Sequence, residues 1–277
     1  MYWPRVKTIL IFLFFALDIF LFGYIMYSDY DENAVSRTEK ENTAAVLKNN
    51  NIKIDTEIIP DKTGWLGIVE LNSIWTDSDS LAKSVLGTGA EKISDGAYSK
   101  GKTRLDLFED GFSYSTGVKN ITKPNAKTAA EELEQINISV DEKSGTAHGN
   151  ELLFTQEIDG VPIFETGISV KASKDKLAEV YGYWIFSDSG DSIVKKQEAR
   201  LMPATSVLIN FTGSDLYDSH GDEITKIEEG YSIGSPAPDT QHKLVSVAPA
   251  YKITLKSGAY AVYDAINGEF LYEKGSD

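Results

Sequence analysis

The chain has 277 residues, no cysteine, three histidines and a net charge of −15, from 42 acidic against 27 basic residues. With 42% hydrophobic and 25% charged residues, it is long enough for one or two globular domains and a substantial core. The absence of Cys excludes disulfides, thiol catalysis, Cys-ligated zinc and iron–sulfur clusters, and the acidic balance disfavours nucleic acid.

The apolar excess lies at the front. Residues 9–27, ILIFLFFALDIFLFGYIMY, span about 28 Å as a helix at ~1.5 Å per residue, close to the hydrocarbon thickness of a bilayer. Arg5 and Lys7 precede the run, and Asp29, Asp31 and Glu32 follow it. The positive-inside rule then predicts residues 1–8 as a cytoplasmic tail, 9–27 as a transmembrane helix and the rest outside. A cleavable signal peptide would need an A-x-A-like site, which Tyr24-Ile25-Met26-Tyr27-Ser28 does not offer. Asp18 stands near the centre of the run. A charged Asp there costs about 2.5–3.5 kcal/mol on insertion scales. Either the apolar run simply tolerates it, or it hydrogen-bonds a polar group on another transmembrane helix. The second reading makes Asp18, Phe14, Phe15, Leu21 and Phe22 a candidate partner-binding face, bordered by Ile11 and Ile25.

Residues 28–51 read as a juxtamembrane stalk or helix ending at Asn49-Asn50-Asn51. Beyond Ile52 the period changes to two. IKIDTEII (52–59) and LGIVELNSI (66–74) read as strands. Asp77-Ser78-Asp79-Ser80 caps a short helix that Gly87 stops. Thr103–Leu107 and Phe112–Thr116 flank Glu109-Asp110-Gly111 as a hairpin. These make a first α+β unit, 52–122. The second region, 123–277, opens with a helix at Thr128–Ile136. Strands follow at 151–158, 162–172 and 176–186. A helix at Pro203–Phe211 and strands at 223–233, 244–256 and 258–272 repeat the pattern. The fold class expected is α+β: one N-terminal transmembrane helix and a β-rich ectodomain of antiparallel sheets with packed helices. Two helix-β-β-β units suggest an internal duplication.

No sequence pattern supplies convincing chemistry. Gly230-Tyr231-Ser232-Ile233-Gly234 matches G-x-S-x-G, but Ser235-Pro236-Ala237-Pro238 follows where a nucleophile elbow needs a helix. Only Asp239 and His242 could serve it from downstream. Ser80-Leu81-Ala82-Lys83 and Lys62-Thr63-Gly64 match S-x-x-K and K-T-G in reversed order, without an S-D-N. His148, His220 and His242 lie in polar loop sequence with no metal-ligand spacing. Asp188-Ser189-Gly190-Asp191 lacks a calcium-loop pattern. Trp65, Trp75, Tyr181, Tyr183, Trp184 and Phe186 fall at strand positions and read as sheet packing. The expectation is therefore a protein without enzymatic activity, cofactor or metal, acting by contact.

Trp3, Lys7-Thr8-Ile9, Phe12, Phe14 and Leu17-Asp18-Ile19-Phe20-Leu21 resemble the opening of the YycI family, with Asp18 where that pattern commonly shows Asn. Asp159-Gly160-Val161-Pro162-Ile163-Phe164, Pro249-Ala250-Tyr251-Lys252-Ile253 and Tyr263-Asp264-Ala265-Ile266-Asn267-Gly268-Glu269 resemble that family's later strands, in a flavour shared with PepSY-type domains. The resemblance implies a single-pass cell-membrane protein with an extracellular C-terminal domain and no catalytic residues. It implies an accessory regulator of the YycFG (WalRK) two-component system, which controls cell-wall metabolism. The implied partners are a sensor histidine kinase of the YycG/WalK type, met through the transmembrane helix and ectodomain, and a YycH-like accessory protein. The alternative is a membrane-anchored PepSY-like inhibitor or binding module for an extracellular enzyme.

Overall fold

A continuous apolar run at the front and an alternation of period two beyond it set the architecture of the computed structural model, which describes residues 3–119, 121–173, 176–187, 193–214, 216, 223–234 and 243–275 and, within these, all side chains but those of 3–6, 9 and 25–33. The front forms one long helix, α1 (Trp3–Asn33), uninterrupted because its only proline, Pro4, lies in the first turn. After Ala34-Val35-Ser36 comes α2 (Arg37–Asn49), capped by the Ser36 side chain, which accepts from the Glu39 N–H at 3.1 Å. It ends where Asn50 and Ile52 both donate to the Leu47 carbonyl and Asn51 turns into the left-handed region at φ 60°.

The expected strand at 52–59 is shorter than its alternation suggests. Only β1 (Lys53–Ile54) pairs, because the Asp55 side chain accepts from the Glu57 N–H and starts a 3-10 turn at Thr56–Ile58. Then come β2 (Trp65–Asn72) and α3 (Ser78–Leu86), which is capped by Asp77 and stopped at Gly87, φ 77°. Next is a four-strand run: β3 (Glu91–Ser94), β4 (Ala97–Lys100), β5 (Thr103–Phe108) and β6 (Gly111–Ser115). The β5–β6 hairpin closes with Phe108 opposite Gly111.

α4 (Ala126–Glu134) starts earlier than its apolar pattern, because Asn125 caps it through two N–H groups. β7 (Thr146–His148), β8 (Glu151–Phe154), β9 (Glu157–Ile158), β10 (Val161–Pro162), β11 (Gly167–Ser173) and β12 (Lys176–Tyr183) follow, then β13 (Ile193–Arg200). α5 (Ala204–Phe211) leads into β14 (Glu223–Ser232), β15 (Leu244–Leu255), β16 (Tyr260–Asp264) and β17 (Phe270–Lys274). The single strand expected at 258–272 is two. The Asp264 carboxylate accepts from the N–H groups of Ile266 and Asn267 and folds a turn between them.

The architecture is mixed α+β, with antiparallel sheets and five helices among the described residues. Among the described residues one sheet has the order β3-β4-β5-β6-β12-β11-β8-β7, a second runs β1-β14-β15-β16-β17, with β2 joined to β15 and β13 to β2, and β9 and β10 form a separate two-stranded sheet. Strands from residues 52–122 therefore enter both sheets. β1 pairs with β14 and β2 with β13 and β15, while β6 pairs with β12. One core gathers α3, α4, the inner face of the first sheet and the start of β15 around Leu81, Leu133, Val180 and Val247. The other packs α2 and α5 on the second sheet around Leu47, Leu208, Phe211, Tyr251 and Ile253. β15 borders both cores, because Val247 faces one and Ile253 the other.

Candidate functional site

The candidate contact surface is α1. Helical spacing puts Phe14, Asp18, Leu21 and Phe22 on one face, with Phe15 beside them. Residues 10–24 are all exposed, among them Phe14 at 53%, Phe15 at 62%, Leu21 at 45% and Phe22 at 66%. Among the described residues, no helix is long and apolar enough to cross a membrane.

The residues just beyond α1 fix it to the body. Ala34 bridges Lys62, and the buried Val35 donates its N–H to the Asp61 carbonyl at 2.8 Å. One turn into α2, Lys40 is buried. Its ammonium donates to the Ile59 carbonyl and, at 2.6 Å, to the solvent-exposed Asp61 carboxylate. The Lys40 partnership holds the Asp61 carboxyl below its ordinary value of 3.8. Farther along, Thr43 and Leu47 are buried, and the Thr205 hydroxyl of α5 donates to Glu39 at 2.5 Å. The segment that could have been a loose stalk is thus a packed helix. A repeat of apolar residues could not reveal this, because two of its three buried positions, Lys40 and Thr43, are polar.

The G-x-S-x-G segment forms a different polar cluster. Ser232 ends β14, 2% exposed, and donates to Glu165. Tyr272 of β17 donates to the same carboxylate at 2.6 Å, and the Ile233 N–H at 3.1 Å. The Gly234 N–H is donated to the Ser232 oxygen at 2.9 Å. Phe164, one residue before Glu165, donates its N–H to the Tyr231 carbonyl. Its ring lies 5.6 Å from the Lys252 ammonium, which also sits 4.5 Å from the Tyr260 ring centre. The loop before β11 is therefore strapped across the outer face of β14–β17, and the serine is the lining of that strap. A nucleophile would need access to a reacting carbonyl and a base to take its proton, and this hydroxyl is buried against a carboxylate. Asp239, His242 and residues 235–238 lie outside the described residues.

Burial pushes the Glu165 carboxyl above its ordinary value of 4.5, against the hydrogen bonds from Ser232, Tyr272 and Ile233. Between the unfolded and the folded value, the folded chain therefore holds a proton that the unfolded chain has released. This contribution to stability is whole below the unfolded value and is lost as pH rises through the folded one. Glu165→Gln is neutral at every pH, so it should gain on the parent protein as pH climbs from about 5 to about 8. Thermal unfolding at both ends of that range measures this, and a constant difference in Tm would refute it.

The remaining candidates do not converge. Ser80 is used in the α3 cap, donating to Asp77 at 2.7 Å. His148 is exposed on the edge strand β7, while His220, His242 and 188–191 lie outside the described residues. No group of three or more His, Asp or Glu side chains could hold a metal among the described residues. Trp75, Tyr183, Trp184 and Phe186 are core, with Trp75 stacked on Tyr183 and donating to the Trp184 carbonyl. Trp65 and Tyr181 are exposed at 57% and 40%.

No protein-family model and no curated protein matches the chain. Among solved structures it is similar to YycH from Bacillus subtilis, with a TM-score of 0.44 and 15% identity, over 77% of this chain and 52% of that one. The chain thus spans about half the length of that neighbour. It is also similar to the Bacillus megaterium YpeB C-terminal domain, with a TM-score of 0.32 and 10% identity, over 72% of this chain and 96% of that one. At TM-scores this low neither likeness bears on function.

Proposed function

We propose that this chain is a single-pass membrane protein, N-terminus inside, that regulates a sensor histidine kinase of the YycG/WalK type by contact. α1 meets the kinase's own transmembrane helices. The extracellular body meets a YycH-like accessory protein or the kinase's outer domain. Neither a catalytic step nor a cofactor takes part. The observation that carries this reading is the apolar run 9–27 with one carboxyl, Asp18, at its middle, in an opening that resembles the YycI family. Three further observations support it. The side chains of 10–24 are all exposed, the connection to the body is short and hydrogen-bonded, and the Ser232 hydroxyl is buried against Glu165. Such a regulator needs only different affinities for two kinase states.

The test is Asp18→Leu in the full chain, co-expressed with the kinase. An interhelical hydrogen bond in a membrane is worth about 0.6–2 kcal/mol. Co-purification should therefore fall by about tenfold, and kinase output should change with it. Association and output both equal to the parent's would remove Asp18 from the contact.

A further inference from the structure

Among the described residues β13 is an edge strand of the second sheet, pairing only with β2, and every residue from Ile193 to Arg200 except Ala199 is exposed. Such an edge presents a row of backbone donors and acceptors on its open side. Its charge runs against that of the chain: Lys195, Lys196 and Arg200 with one acid, Glu198. Lysines on an edge ordinarily block strand addition. Here their placement blocks most registers and leaves one open.

We propose that β13 is a homodimer interface, on which a second copy of this chain adds its own β13 antiparallel about a two-fold axis. The geometry is restrictive. A two-fold axis perpendicular to a sheet makes one residue face its own copy, with the others paired symmetrically about it. Centred on Gln197, the pairing sets Lys196 opposite Glu198 of the second copy, twice over, and joins the two Gln197 amides. Lys195 meets Ala199, and Val194, 52% exposed, meets the aliphatic stem of Arg200. Centred on Lys196, the strands would set that lysine against itself. Centred on Glu198, they would set Glu198 against itself and Lys196 against Arg200. Centred on Ala199, the pairing would run off the strand onto Leu201, which is buried. Opposite charges across a strand pair stabilise and like charges oppose, so charge excludes the Lys196 and Glu198 registers; the Ala199 register also sets Glu198 against Arg200 but runs off the strand, which leaves the Gln197 register. Lys196 already reaches Asp159 at 2.7 Å, and an ammonium has three protons to donate.

The absence of native cysteine makes the test clean. In the full chain, Gln197→Cys places two thiols directly opposite, within disulfide reach, whereas Glu198→Cys places them about 8–9 Å apart at their α-carbons. Mild oxidation should give a covalent dimer from the first variant and monomer from the second. Glu198→Lys should weaken self-association about tenfold in sedimentation, and adding Lys196→Glu to it should restore the dimer by exchanging the charges. Equal cross-linking at 197 and 198, or a chain monomeric at all concentrations, overturns the proposal. So does a dimer that Glu198→Lys leaves unchanged, because α1 contacts alone would then explain it. None of these measurements involves a kinase, so their outcome is independent of the Asp18 test.

Discussion

Gly182→Ala should lower the stability of the protein by about 3–5 kcal/mol, more than any surface change. Gly182 lies on β12 at φ 139°, a region that side chains avoid. β6 flanks it on one side, with Phe112 opposite, and β11 on the other, with Ile168 opposite. A Cβ built there would lie 2.1 Å from the Gly167 carbonyl oxygen and 2.9 Å from the Ile168 Cα. Both obstacles are backbone, so no rotamer change relieves the clash and three central strands must move. The positive φ contributes about 1–3 kcal/mol and the overpacking a similar amount. For a chain of this size the midpoint of thermal unfolding should fall by about 10 °C. Gly101→Ala is the control. Its φ is also positive, at 64°, but nothing lies within 4 Å of the added carbon, so it should cost about 1–2 kcal/mol. Equal losses for the two variants would show that the close approach of β12 to β11 is not what requires glycine.

Lys40→Ala should release α2 from the body without unfolding the sheets. The substitution removes the buried ammonium and leaves the Ile59 carbonyl without that donor. An unsatisfied buried acceptor costs about 1–3 kcal/mol, and the lost lysine stem adds to it. Asp61 is exposed, so its lost partner matters little. The loss is local, because the hydrogen bonds of the Lys40 ammonium go to the segment at 59–61. Amide exchange along α2 should therefore quicken by about thirtyfold, while β12 and β15 keep their protection. Thr205→Val removes the hydrogen bond to Glu39 and should act on the same amides by about threefold to tenfold. If α2 exchanges no faster in Lys40→Ala, the lysine is not what holds the helix.

The parts that were legible in the sequence share one property: their signals are local. Asp77 and Gly87 bound α3, Glu109-Asp110-Gly111 closes β5 onto β6, and the alternation of β14 and β15 is plain in their residues. What was hidden depends on partners far away in the chain. β13 carries almost no apolar alternation, since both its faces are exposed, and only its pairing with β2 makes it a strand. β3 is likewise fully exposed and is formed by the β4 hairpin. The strand expected at 162–172 is interrupted because Val161–Pro162 pair with β9 in a separate two-stranded ribbon and residues 163–166 then strap the second sheet before β11 enters the first. The candidate site divides in the same way. Asp18 stands out of its apolar run by inspection, whereas the partnership of Ser232 with Glu165, 67 residues away, has no sequence signature.

The union of α1 with the body has a consequence for reach. Only Ala34, Val35 and Ser36 separate the two helices. Three residues extend by about 10 Å at most, and two of these are already tied to residues 61 and 62. The body therefore cannot swing out on a tether to search for partners at a distance. Its partners must come to it where it stands, fixed beside the end of α1. A tilt or rotation of that helix would be delivered to the second sheet as a displacement instead of being absorbed as slack.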